Sequence, residues 1–120
     1  MAKFEIENKA ADLIHHTITI TSNRKRYPNK YITLIKRIQN TSMDIYEAIL
    51  NANELDLRTQ KQLRLETQTR AIRLCDRLSC LVEMSMGLKL IGSDVVNIWQ
   101  KHIGEVKRMT KAWRKKDSAR

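Results

Sequence analysis

Apolar residues recur along the chain at three- and four-residue steps, the rhythm that places them on one face of a helix. Tyr31, Leu34, Ile35, Ile38, Ser42, Ile45, Ile49 and Ala52 make one such series. Leu63, Thr67, Ala71, Leu74, Leu78, Leu81, Val82 and Ser85 make a second, and Val95, Ile98, Trp99, Ile103, Val106, Met109 and Trp113 a third. Nearer the start, Phe4, Ala11, Ile14 and Ile18 fall on one stripe that Thr21 extends. The run Thr17-Ile18-Thr19-Ile20-Thr21 alternates and is β-branched, which also suits a strand. No second strand exists to pair with it, so helix is the expectation.

Breakers punctuate these series. Tyr27-Pro28-Asn29 marks the first junction, since proline excludes the preceding residue from the helical region and suits the first turn of the next helix. Asn51 to Leu57 is the second, with Asp56 able to cap a following helix. Gly87 to Asp94 is the third, where Gly92 can end one helix and Ser93 can cap the next. The pattern predicts helices over about 4–24, 29–53, 57–88 and 93–114. Four helices joined by short turns lie antiparallel, which is an all-α, up-down-up-down four-helix bundle occupying residues 1–114. Residues 115–120 read as a fraying, basic C-terminal tail.

Composition narrows this further. Three Gly and one Pro in 120 residues are too few turn residues for a sandwich or barrel. Hydrophobic residues at 42% are enough for a core, which argues against disorder. Aromatics at 5% argue against a single-strand binder built on base-stacking platforms. The two cysteines, Cys75 and Cys80, project about 140° apart on one helix and cannot pair within it. The first residues carry charges where a signal peptide needs an apolar run. The longest apolar-leaning stretch, Leu78 to Met86, is far short of the ~20 residues of a membrane span. A cytoplasmic location without membrane attachment is the expectation.

Catalytic and metal signatures are missing from the sequence. His15 and His16 point about 100° apart on a helix, and His102 has Val106 rather than a ligand at i+4. No Glu is followed three residues later by His, and no phosphate loop, dinucleotide fingerprint or zinc-protease motif occurs. Asp44 with Glu47, and Asp76 with Glu83, are spaced like helix-surface charges. The sequence predicts no enzyme, no metal and no cofactor.

Charge is the remaining signal. Lys and Arg total 23 against 13 Asp and Glu, for a formal charge of +10. Residues 24–37 hold Arg24, Lys25, Arg26, Lys30, Lys36 and Arg37 with no acid. Residues 107–120 hold Lys107, Arg108, Lys111 and Arg114, then Lys115, Lys116 and Arg120, against Asp117 alone. On the third helix Arg70, Arg73 and Arg77 form one stripe at i, i+3 and i+7. Such stripes suit a polyanion, whose phosphates give affinity by counterion release and accept the planar guanidinium fork. These basic residues are therefore the candidate nucleic-acid-binding set.

A family resemblance adds to this reading. Tyr27-Pro28-Asn29-Lys30-Tyr31, Lys36-Arg37-Ile38-Gln39-Asn40-Thr41, Asp44-Ile45-Tyr46-Glu47, Ala48 to Asn53, and Ile103-Gly104 through Trp113 resemble segments of the accessory variability determinant proteins of diversity-generating retroelements. They are similar, too, to the four-helix-bundle proteins encoded by intervening sequences in 23S ribosomal RNA genes. The resemblance covers about residues 10–114. It implies a basic bundle that assembles as a homopentamer. In the retroelement family such a protein partners a reverse transcriptase, binds template RNA or DNA, and supports mutagenic copying. In the ribosomal type it is a structural or interaction protein without a polymerase partner. Carried over, Arg37, Asn40, Gly104 and Trp113 serve the fold and subunit contacts. Trp99 and Trp113 lie four turns apart on one face of the last helix, and an exposed one is a candidate subunit anchor.

Overall fold

A computed structural model describes residues 4–120. They form four α-helices: α1 (Glu5–Thr21), α2 (Ile32–Glu54), α3 (Lys61–Gly87) and α4 (Ser93–Ser118), with a 3₁₀ turn at Asn29–Tyr31 leading into α2. No strand occurs among the described residues. Each helix packs on two neighbours, in the cyclic order α1, α2, α3, α4. As partners on α3 climb from Arg64 to Ser79, their partners on α4 descend from Asp117 to Gln100. Phe4 meets Trp113, and Thr17 meets Trp99, so α1 and α4 also run oppositely. The result is an antiparallel four-helix bundle measuring 49 × 23 × 23 Å.

The α2, α3 and α4 series supply most of the core. Ile35, Ile38, Ile45 and Ile49 of α2 are buried, as are Leu74, Leu78 and Val82 of α3 and Trp99, Ile103 and Val106 of α4. Two members of the expected stripes turn outward: Leu63 is 50% exposed and Ile98 55%. On α1 the stripe is displaced. Ile6, Ala10, Leu13, Thr17 and Ile20 face the core, while Ile18 is exposed and Ala11 and Ile14 are half-buried. Rotation of α1 puts Thr17 Oγ1 within 3.1 Å of the Trp99 indole N–H, giving that buried donor its acceptor. The Thr/Ile run is helical, and within it Thr19 and Thr21 satisfy their hydroxyls by donating to the carbonyls of His15 and Thr17, each four residues back. Gln39 of α2 then donates to Thr21 Oγ1, tying α2 to the same polar thread.

The junctions are tighter than the sequence suggests. Residues 57–60 are turn rather than helix, and Asp56 braces that turn by accepting from the Arg58 amide instead of capping α3. The α3 C-terminus is closed by Lys89, at φ 62°, and not by Gly92. Lys89 N–H donates to Met86 O and Leu90 N–H to Ser85 O, the paired bonds of a left-handed helix stop. Gly92 is extended and precedes α4, and Ser93 is its first helical residue.

Residues 115–120 are not a fraying tail. α4 continues to Ser118 because Asp117, with its side chain 2% exposed, turns into the bundle. Arg64 Nε and Gln68 Nε2 both donate to Asp117 Oδ2 at 2.8 Å. Lys61 Nζ donates to the carbonyls of Ser118 and Arg120. The Arg64 guanidinium lies 5.2 Å from the Trp113 ring, which in turn meets Phe4 edge-on at 4.8 Å. Among the described residues no helix is long and apolar enough to cross a membrane.

Candidate nucleic-acid interface

The basic residues divide by what they already touch. Arg114 is committed to the fold: its Nε donates to Thr69 Oγ1 at 2.7 Å and to Leu65 O at 3.3 Å. Lys107 is held by Asp76 at 2.6 Å. Arg24 reaches back to the carbonyls of Thr21 and Tyr27 and so closes the turn after α1. Lys30 sits 5.4 Å from the Tyr31 ring. These four act first as structural groups, which their number and spacing in the sequence do not reveal.

The stripe on α3 is different. Arg70, Arg73 and Arg77 are exposed, and none of the three guanidiniums makes a hydrogen bond or ion pair with a described residue. They surround a small cleft of about 250 Å³ with Leu74 at its base. Holding three cations one turn apart costs Coulomb repulsion that no ion pair with a described residue relieves, and an anion from outside would relieve it. Arg26, Lys36, Arg37, Arg108 and Lys111 also have side chains free of such partners. Lys25 is likewise exposed, its backbone N–H alone being held, by Asn23 Oδ1.

Because α3 lies between α2 and α4, the stripe is flanked by two grooves. On the α4 side, Lys111, Arg114 and Lys115 line a groove of about 620 Å³ with Thr69, Ile72 and Ser118. On the α2 side the groove has two parts. Its upper part, about 550 Å³, carries Arg37 and Arg77 together with Asp44 and the Lys107-paired Asp76, over Leu74, Leu81 and Met84. Its lower part carries Asp44, Glu47 and Glu54 facing Arg70. A phosphate backbone on α3 is therefore repelled from the acids of lower α2 and drawn toward lower α4, whose groove is lined by Lys111, Arg114 and Lys115 and by no acid.

Of the two tryptophans, Trp99 is not a subunit anchor. It is 0% exposed and bonded to Thr17. Trp113 is half-buried, sandwiched by Phe4 and Arg64. Both thiols are free: Cys80 is exposed, whereas Cys75 is buried, which, with the nearby Asp76 carboxylate, pushes its thiol up to about 12 against the weaker pull of Lys107.

One cluster is invisible in the sequence. His16 of α1 and His102 of α4 bring their rings to 4.5 Å, beside Trp99. Burial, then the proximity of His102, holds His16 below its ordinary 6.5. The flanking Lys9–Glu105 ion pair, 3.0 Å apart, bridges the same two helices. Only the antiparallel pairing of α1 with α4 could have signalled this contact. No group of three or more His, Cys, Asp or Glu able to hold a metal occurs among the described residues.

Comparison with protein-family models, with curated proteins and with solved structures gives no match.

Proposed function

We propose that this chain is a non-enzymatic nucleic-acid-binding accessory protein whose contact surface is the outer face of α3. The observation that carries the reading is the unpartnered stripe of Arg70, Arg73 and Arg77. Among described residues the ion pairs Arg64–Asp117, Lys107–Asp76 and Lys9–Glu105 use other bases, and the α3 stripe takes part in none of them. The chain's +10 excess supports a polyanionic ligand. Guanidiniums spaced along one helix bind successive phosphates without reading sequence.

The resemblance to the retroelement family supplies the setting: support of mutagenic reverse transcription in a diversity-generating retroelement, with a reverse transcriptase as protein partner and template RNA or DNA as ligand. The protein acts there as a homo-oligomer. Two measurements test the reading. Labelled RNA and DNA should bind with affinity that falls steeply as salt rises. A reverse transcriptase encoded beside the gene should co-purify with the protein. Nucleic-acid binding without a polymerase would move the protein to the ribosomal intervening-sequence type, and absence of nucleic-acid binding would overturn both.

A further inference from the structure

The upper groove between α2 and α3 has a chemistry that phosphate binding alone does not use. Its floor is hydrocarbon, from Leu74, Leu81 and the 55% exposed Met84. Its rim carries one guanidinium from each helix, Arg37 and Arg77, neither engaged by a described residue, and the Asp76 carboxylate, which Lys107 already holds. Asp44 is half-buried at its lower end, with no hydrogen bond or ion pair to a described residue. The groove is about 550 Å³, within the range that encloses a small organic ligand.

A bare phosphate would gain nothing from the floor and would be repelled by Asp44. A purely apolar occupant would leave two guanidiniums and a carboxylate without partners. A flat heterocycle joined to phosphates satisfies all three parts. Its faces cover the leucine and methionine carbons, its ring N–H or amino group donates to Asp44, and the adjoining phosphates meet Arg37 and Arg77. Guanidinium planes also serve as stacking surfaces for unpaired bases, which suits a groove with no aromatic lining.

We infer that the upper α2–α3 groove receives one unpaired nucleobase of a single-stranded nucleic acid, with Arg37 and Arg77 holding its flanking phosphates. This inference rests on the proposed function and deepens it: the α3 stripe takes any phosphate backbone, whereas the groove favours single strand over duplex. A base stacked in a duplex presents neither its face nor its Watson–Crick edge to such a slot.

Cys80 provides the test, because it lines the groove and is exposed, while Cys75 is buried and its thiol stays protonated. Maleimide modification of the full-length protein therefore reports on Cys80. A short single-stranded RNA at saturating concentration should slow that reaction about tenfold, and the same RNA annealed to its complement should not. Conversely, protein already modified at Cys80 with a bulky maleimide should lose single-strand affinity while keeping duplex affinity.

Equal protection by single strand and duplex, or none from a single strand that binds, would overturn the groove assignment and leave the proposed function standing. Binding of neither RNA would overturn the proposed function and this inference together.

Discussion

Asp117 shows how one residue can change the meaning of a segment. Amid Arg114, Lys115, Lys116 and Arg120 it looks like a stray acid in a basic tail, yet it is the buried end of a clasp with Arg64 and Gln68. Breaking such a pair costs more than the pair contributes, since one charge stays buried alone. Arg64→Met should destabilise the fold by about 3–5 kcal/mol in urea denaturation. Adding Asp117→Leu should recover part of that deficit; a double variant less stable than the single would contradict the clasp. His16 gives a second residue-scale expectation. Its proton is bound more weakly in the fold than in the unfolded chain, so the neutral form's contribution is present above about pH 6.5 and is lost as pH falls below it. The melting temperature should drop more steeply between about pH 7 and 5 in the wild type than in His16→Gln. Parallel curves would rule out His16 as a source of that acid sensitivity.

At the scale of elements, α2 is the most legible in the sequence, because Ile35, Ile38, Ile45 and Ile49 have no rival stripe. α1 departs from its pattern by a rotation. Ala11, Ile14 and Ile18 are as apolar as Ala10, Leu13 and Ile20, and the choice between the two faces is made by Thr17 meeting an indole on α4. Periodicity on one helix carries no information about a hydrogen bond to another. The α3 stop departs for a similar reason. A left-handed position favours glycine, but the closing bonds fall on Lys89, with Gly87 and Gly92 on either side. Lys89 bears the strain of a non-glycine residue at positive φ. Lys89→Gly should therefore stabilise the bundle by about 1 kcal/mol, raising Tm by roughly 3–5 °C in a thermal scan. A lower Tm would mean the lysine side chain makes contributions that outweigh its backbone strain. The candidate interface is half legible. Spacing identifies the stripe on α3, but cannot distinguish its unpaired arginines from Arg114, Lys107 and Arg24, whose partners lie on other turns or helices.

For the whole molecule, the bundle explains how +10 can reside on 120 residues without unfolding them. Twenty buried apolar residues form one continuous core, while the surplus charge lies outside it, along α3, upper α2 and lower α4. In the assembly proposed by resemblance, each subunit adds another such surface. The native mass in solution should be about five times the 14.1 kDa of one chain. With Trp99 sealed in the core, subunit contacts must use other groups. A monomer by native mass measurement would remove the pentamer while leaving the α3 surface intact.

If the free arginines of α3 hold phosphates, removing them must change how RNA binding responds to salt. Fluorescence anisotropy across a salt series, with the wild type and an Arg70→Ala/Arg73→Ala/Arg77→Ala variant, reads this without intermediaries. These side chains are exposed and unpartnered, so the variant should keep the wild-type melting temperature. Its affinity should fall, and its slope of log affinity against log salt should shrink in magnitude by about two to three, close to one for each arginine withdrawn from a phosphate. An unchanged slope and affinity in a folded variant would show that the stripe does not bind RNA.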